Sequence, residues 1–212
     1  MKYETRRFLT VITLAGSLAG ALSACAPVVL GGAVMGTVVA TDRRTSGAQL
    51  EDEGIELRAG SRINDNLGDR VHVNVTSYNR RVLLTGEVPN QQDKQLVEQI
   101  VTRVDNVQTV VNELTIAGIS SLSQRSSDVL VTGRVKAGLV DAKDLVSSAF
   151  KVVTERGTVY LMGRVTQREA TRATEIARST SGVQKVVRVF ESISEDELRN
   201  MLPQPAPAEP KK

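Results

Sequence analysis

Residues 82–88 read VLLTGEV, and nearly the same stretch returns as VYLMGRV at residues 159–165. A second pair of blocks follows in the same order, VQTVV at residues 107–111 and VQKVV at residues 183–187. A third pair precedes them as single residues at matching intervals: Asp52, Ile55, Ala59 and Ile63 in one copy, and Asp128, Val131, Val135 and Leu139 in the other. Three ordered matches indicate that the chain contains two copies of one structural unit.

Each unit is predicted to begin with a helix. In the second copy Val131, Val135 and Leu139 recur at every fourth residue, which makes one apolar helical stripe. Asp128 precedes this stripe and is predicted to cap the N-terminus of the helix. Asp52, with its acidic neighbour Glu53, is interpreted in the same way in the first copy.

The rest of each unit is predicted to be two strands, a second helix and a third strand. In the second copy, residues 150–154 and 158–162 are strand-like and are joined at a hairpin signal, residues 156–157. The later apolar sets are Ala170, Ala173, Ile176 and Ala177 for the helix, and Val183, Val186, Val187 and Phe190 for the strand. The fold class is therefore α+β: two tandem αββαβ sandwiches, each a three-stranded sheet covered by two helices.

Composition divides the chain further. Residues 117–127 are rich in Ser and Gly and are predicted to be a flexible linker, and residues 194–212 hold four of the six prolines and are predicted to be a disordered tail. The predicted segments are a signal peptide (1–24), an acylated N-terminus and spacer (25–48), the first domain (49–116), the linker (117–127), the second domain (128–193) and the tail (194–212).

The N-terminus has the pattern of an export signal. Basic residues are followed by an apolar stretch, 8–22, that is too short to span a bilayer, and then by Leu-Ser-Ala before Cys25. We expect cleavage before Cys25 and acylation of that cysteine, including palmitate, because acyl chains give durable membrane anchoring. The alternative is an ordinary secreted protein with an incidental cysteine.

The charge of the chain is divided unequally between the two units. Residues 49–116 carry 7 basic and 11 acidic residues, whereas residues 128–193 carry 11 basic and 7 acidic residues. Anionic lipid headgroups attract nearby Lys and Arg by about 1 kcal/mol each, so only the second unit gains near an acidic membrane. The near-neutral total and the scarcity of aromatic residues argue against nucleic acid as a partner.

Taken together, these motifs resemble the BON domain, on the Asp-x-x-Ile/Val start, the strand ending in Gly-x-Val and the closing Val-x-x-Val. Two such units behind a lipobox resemble the dual-BON-domain outer-membrane lipoproteins. The resemblance implies attachment to the outer membrane on its periplasmic face, with Ala26 after the cysteine favouring that sorting. It also implies binding of anionic phospholipids by the second unit, a role in envelope integrity, and proximity to the outer-membrane assembly machinery or to division-site proteins.

The predicted phospholipid-binding residues lie on the first helix of the second unit: Leu130, Gly133, Arg134 and Ala137. Leu130 is apolar but lies off the core stripe, next to the cation of Arg134, which suits insertion among headgroups. Relatives of this kind carry Trp at the position of Leu130. The alternatives are that Leu130 packs against the linker or the first unit, and that Gly133 is an ordinary surface glycine.

No chemistry-bearing motif is recognised. His72 is the only histidine and is read as a tolerated strand residue; no cysteine and histidine spacing fits a metal, and no glycine-rich loop fits a phosphate. We therefore expect no enzyme activity, catalytic residue, metal or cofactor. The leading hypothesis is a phospholipid-binding envelope lipoprotein, and the alternative is a periplasmic scaffold whose acidic first domain docks a protein partner.

Overall fold

The computed structural model describes residues 42–201 of the chain. The predicted signal peptide, the acylation site at Cys25, most of the spacer and the end of the proline-rich tail lie outside these residues.

The first domain is an αββαβ unit. Its elements are α1 (Ser46–Leu67), β1 (His72–Tyr78), β2 (Arg81–Val88), α2 (Gln91–Thr102) and β3 (Thr109–Asn112), with a short 3₁₀ turn (Gly68–Arg70) after α1 and a two-residue β4 (Thr115–Ile116) after β3. Strand β2 is central: it pairs antiparallel with β1 and parallel with β3 and β4. The parallel pairing requires a crossover, which α2 provides.

The second domain repeats this arrangement. Its elements are α3 (Leu122–Asp141), a 3₁₀ turn (Ser147–Ala149), β5 (Lys151–Glu155), β6 (Thr158–Val165), α4 (Gln167–Ser179), β7 (Lys185–Ser192) and a final short α5 (Glu195–Met201). Strand β6 pairs antiparallel with β5 and parallel with β7. The predicted fold class, two tandem α+β units, is confirmed.

Each sheet is covered by two helices on one face. In the second domain the predicted stripe of α3, Val131, Val135 and Leu139, packs on the sheet beside three alanines of α4, Ala170, Ala173 and Ala177. The first domain has the same arrangement with larger α2 residues, Val97 and Val101. The apolar periodicity of the sequence therefore located both helix-to-sheet cores correctly.

The opposite faces of the two sheets pack against each other. Leu83 from β2 meets Tyr160 and Met162 from β6 in a shared core that also includes Tyr78 and Val189. Strands β2 and β6 are therefore covered on both faces, which explains why both repeated stretches are apolar with little alternation. The sequence left the relative orientation of the domains open.

A glycine recurs in both repeated strands because the neighbouring backbone approaches it closely. A Cβ at Gly86 would lie 2.0 Å from the carbonyl oxygen of His72, and one at Gly163 would lie 2.3 Å from that of Ala149. Gly86 also has φ +113°, a conformation that other residues rarely adopt. Any side chain at either position would displace the backbone that it faces, which is β1 at Gly86 and the 3₁₀ turn before β5 at Gly163.

The two repeated aspartates bind backbone amides of the hairpin turns. The prediction that Asp128 caps its helix is therefore wrong. Helix α3 already begins at Leu122, with Ser121 as its N-cap, and Asp128 is buried on the second turn. Its carboxylate accepts hydrogen bonds from the amides of Arg156 and Gly157 at 2.9 and 2.8 Å, where the β5–β6 hairpin turns.

Asp52 does the same in the first domain, within α1 rather than at its start. It accepts from the amides of Asn79 and Arg80 at 2.7 and 2.8 Å, and also from the Ser77 hydroxyl. Both turns contain residues with positive φ, and the paired amide bonds hold them in that conformation.

Two segment predictions need correction. Helix α3 starts inside the predicted linker 117–127, so the connection between the domains is shorter than predicted. Residues 195–201 of the predicted disordered tail form α5, and Leu198 on that helix is buried. In both places polar composition concealed a helix, which Ser121 caps in the linker and the buried Leu198 anchors in the tail.

The segment before α1 connects the two domains. The guanidinium of Arg43 pairs with both carboxylate oxygens of Glu169 at 2.7 and 2.8 Å and also donates to the carbonyl of Arg164. Arg44 pairs with Asp52 at 2.7 Å and lies over the ring of Tyr78. Both arginine side chains are largely buried.

Candidate functional site

The predicted phospholipid-binding residues lie on the outer face of α3. Leu130 is 62% exposed, so neither the linker nor the first domain covers most of its side chain. Gly133, Arg134 and Ala137 are also exposed, and nothing lies within 4 Å of a Cβ added at Gly133. The structure thus brings all four residues to one accessible surface, opposite the stripe that packs on the sheet.

This surface is more apolar than the sequence prediction stated. Leu122, Val129 and Val140 on α3 are likewise exposed large hydrophobic residues. We call the exposed nonpolar residues of α3 (Leu122, Val129, Leu130, Gly133, Ala137 and Val140) the α3 outer face. The sequence prediction missed these three residues, although Leu122, Val129 and Val140 lie at i−11, i−4 and i+7 from Gly133 and so share its side of the helix.

Cationic side chains flank the α3 outer face. Arg134 donates to the carbonyl of Ser181 at 3.3 Å and has no carboxylate within 4.0 Å among residues 42–201. The corresponding residue of the first domain, Arg58, pairs with Glu51 at 2.6 Å. Since Ser127 occupies the position of Glu51 in the second copy, Arg134 keeps its charge available.

The acidic first domain neutralises part of the positive charge of the second. Lys151 pairs with Glu56 at 2.7 Å, and Arg156 pairs with Glu87 at 3.2 Å, both across the domain junction. Within the described range, six exposed cations of the second domain pair with no carboxylate: Arg134, Lys136, Lys143, Arg178, Lys185 and Arg188. A positive surface therefore persists in the folded protein, and it includes the edge of the α3 outer face.

Buried acids elsewhere are held ionised by specific donors. Burial acts to raise the pKa of Glu169, but hydrogen bonds from Arg43 and the Thr166 amide outweigh it, so the pKa lies below the ordinary value. The pKa of Asp52 is lowered in the same way, against burial, by the Ser77 hydroxyl and the Arg80 amide. These groups belong to turns and domain contacts rather than to the α3 outer face.

His72 lies in β1, as the sequence predicted. Burial, followed by the positive charge of Arg125, lowers its pKa below the ordinary value.

Cys25 lies outside the described residues, so its acylation remains a prediction. No helix in residues 42–201 combines the length and apolar character that a membrane crossing needs.

Three features define the class of domain to which each unit belongs. They are the αββαβ order, a glycine in the central strand that another backbone segment approaches closely, and an aspartate that binds the amides of the hairpin turn. The BON domain family model matches the chain twice, at residues 51–118 and 127–192. The chain belongs to the BON-domain family, as a two-domain member of the outer-membrane lipoprotein type.

Two curated relatives extend this assignment. The chain is 38% identical over 171 residues to the outer membrane lipoprotein DolP of Haemophilus influenzae, covering 80% of this chain and 89% of that protein. It is 30% identical over 151 residues to the 21 kDa hemolysin of Actinobacillus pleuropneumoniae, covering 70% of this chain and 78% of that protein. The similarity supports an outer-membrane location for this chain.

The search of solved structures found matches of low similarity. The C-terminal domain of CdsD, a structural protein of the type III secretion system of Chlamydia trachomatis, matches with a TM-score of 0.28 and 12% identity, covering 71% of this chain and all of that domain. A second CdsD structure has a TM-score of 0.29 and 13% identity, covering 74% of this chain and 99% of that one.

Proposed function

We propose that this protein is tethered to the outer membrane by acyl chains on Cys25, faces the periplasm, and binds anionic phospholipid through the α3 outer face of its second domain. The observation that carries the proposal is the exposed apolar surface around Leu130, bordered by a cation, Arg134, that has no carboxylate partner within residues 42–201. Apolar side chains beside cations insert at the boundary between headgroups and acyl chains.

The electrostatics of the two domains support the same orientation. The first domain has an acidic surplus, which anionic headgroups repel, and the equivalent arginine of that domain is neutralised by Glu51. The second domain retains exposed cations after its contacts with the first are made. Only the second domain therefore gains electrostatic free energy by approaching an acidic bilayer.

Liposome flotation of the mature chain carrying Cys25→Ser, which prevents acylation, tests this proposal. We expect binding to vesicles that contain phosphatidylglycerol and much weaker binding to vesicles of phosphatidylcholine alone. Leu130→Glu is expected to weaken binding strongly, because it places a carboxylate among anionic headgroups. Equal binding to both kinds of vesicle would contradict the proposal.

The first domain supplies matched controls. Leu57 is 76% exposed on α1, so Leu57→Glu makes the same chemical change on the other domain. Likewise, Arg134→Gln removes a free cation, whereas Arg58→Gln removes one that is already paired. We expect only the second-domain variants to lower binding, and equal losses in both domains would remove the site assignment.

A second proposed function is docking of an envelope protein by the acidic first domain. Leu50 and Leu57 are both exposed and lie two helical turns apart on one face of α1, near the exposed Glu53. Partners at the outer-membrane assembly machinery or the division site fit this role. Cross-linking in cells from a photoreactive residue at Leu57 tests it: a single dominant protein adduct supports docking, and adducts with lipid alone oppose it.

A further inference from the structure

A histidine and two glutamates meet at the domain junction, next to a cavity that Val129 of the α3 outer face also lines. His72 on β1 lies directly opposite Glu87 on β2, and Glu155 comes from the end of β5 in the other domain. One ligand atom of each side chain lies within 4.8 Å of the other two. These residues are far apart in the sequence, which is why no metal-ligand spacing was recognised there.

The two carboxylates of this cluster are buried, and only Glu87 is in contact with a cation. Glu87 is wholly buried, and Glu155 is 7% exposed. Arg156 reaches Glu87 at 3.2 Å, but Glu155 receives only the neutral amide of Asn74, at 2.9 Å, and has no cation within 4.0 Å in the described part of the chain. Two adjacent buried carboxylates repel each other and require either a cation or a proton.

The surroundings give a small ion access and room. A cavity of about 270 Å³ adjoins the cluster, and His72, Asn74, Thr132 and Glu155 are among the residues that line it. Arg125 also lines it, and a bound cation would have to offset the positive charge of that side chain. The Thr85 hydroxyl is buried on the same face of β2 as Glu87 and has no hydrogen-bond partner among the described residues. The Arg156 side chain is 42% exposed, so it is free to move off Glu87.

We propose that His72, Glu87 and Glu155 bind a divalent transition-metal ion, with Zn²⁺ the best match. One imidazole and two carboxylates are ligands that Zn²⁺ accepts, and a water in the cavity completes a tetrahedral set. Ligand bonds of about 2.0–2.2 Å require the three atoms to move somewhat closer together than they are here. The bound ion would link the sheets of the two domains.

The single histidine makes the test direct. Because the sequence has one histidine, the imidazole signals of His72 are the only histidine signals in an NMR spectrum of the tag-free mature chain. The chain is prepared with Cys25→Ser, which removes the other side chain with high affinity for zinc. We expect zinc chloride to shift these signals saturably and to raise the unfolding temperature, with EDTA reversing both effects. Calcium chloride is expected to shift neither, because Ca²⁺ prefers oxygen ligands.

Variants at the partly exposed members test the ligands. His72→Asn and Glu155→Gln are each expected to weaken zinc binding, measured by calorimetric titration, by at least about tenfold. Arg156→Gln is expected to strengthen it by removing a competing cation, whereas Glu195→Gln on exposed α5 is expected to leave it unchanged.

Two outcomes would overturn the proposal. One is the absence of any zinc effect on the His72 signals. The other is zinc binding of equal affinity in the unaltered chain, in His72→Asn and in Glu155→Gln.

Discussion

At the scale of single residues, the positions that recur in both copies have backbone roles. Gly86 and Gly163 allow an earlier segment of backbone to approach closely, and Asp52 and Asp128 bind the amides of the hairpin turns. Substitutions at these four positions are therefore expected to lower the free energy of unfolding, because each one disturbs a backbone contact.

Gly86→Ala is expected to destabilise the protein by about 3 kcal/mol, because the added methyl overlaps the carbonyl of His72 and φ is positive. Gly60→Ala is the control. Gly60 is an exposed helical glycine with nothing within 4 Å of an added Cβ, so this variant is expected to gain about 0.5–1 kcal/mol. Urea denaturation measures both, and a neutral Gly86→Ala would contradict the close-approach explanation.

Asp128→Ala is expected to cost about 2 kcal/mol, since it removes the acceptor of the Arg156 and Gly157 amides. Asp141→Ala on the same helix removes an exposed carboxylate instead and is expected to change stability by less than about 0.5 kcal/mol. Urea titrations of the two variants give the free energies of unfolding to be compared. Similar losses in the two variants would show that helix charge, not the turn, is responsible.

At the scale of elements, the segment before α1 fixes α4 of the other domain. The pair formed by Arg43 and Glu169 is almost wholly buried, with side-chain exposures of 6% and 3%. It also places the positive end of Arg43 against the carbonyl of Arg164 on β6. Because it precedes the first domain and contacts the second, the segment acts as a strap between them.

Arg43→Ala is expected to destabilise the protein by about 3 kcal/mol, since it leaves Glu169 buried without its cation. Adding Glu169→Gln is expected to recover part of that loss. Arg168→Ala breaks an exposed pair with Glu195 and is expected to cost under about 1 kcal/mol. Thermal unfolding measures all three, and a cost for Arg43→Ala no larger than that for Arg168→Ala would contradict the strap.

The same pair predicts a dependence on acid. Glu169 has a pKa below its ordinary value of 4.5 in the fold, so its contribution is complete above about pH 5 and is lost as the pH falls through the folded pKa. Arg43→Ala raises that folded pKa. We therefore expect the acid-unfolding midpoint of Arg43→Ala to lie at a higher pH than that of the unaltered protein; an unchanged midpoint would mean that Arg43 does not hold Glu169 ionised.

At the scale of the whole molecule, the two BON domains share a third core between their sheets. Since β2 and β6 are each buried on both faces, one face of each sheet would be exposed to water without the other domain. The shared core and the ion pairs across the junction fix which surfaces remain exposed, and the α3 outer face is one of them.

We expect residues 42–201 to unfold in a single calorimetric transition in which the calorimetric and van't Hoff enthalpies agree. Met162→Asp places an unpaired carboxylate in the shared core, so it is expected to separate the domains and to give two transitions. Leu57→Asp on exposed α1 serves as the control and should leave one. Two separate transitions in the unaltered protein would show that the domains fold independently.

The sequence by itself determined the repeat, the αββαβ order and the helix-to-sheet cores, because apolar periodicity reports which face of an element is buried. It also pointed to Leu130 and Arg134, whose exposure agrees with that reading. These properties can be read from the spacing of apolar residues along the chain, which is local even where the contacts that they make are not.

Only the tertiary structure decided how the domains pack, what Asp128 binds, where α3 begins, and that Arg43, His72, Glu87 and Glu155 lie at the domain junction. Each depends on partners that are distant in sequence, and a polar residue gives no local sign of a distant partner. The second buried face of β2 was missed for the same reason, since one-dimensional apolar patterns do not name what covers them.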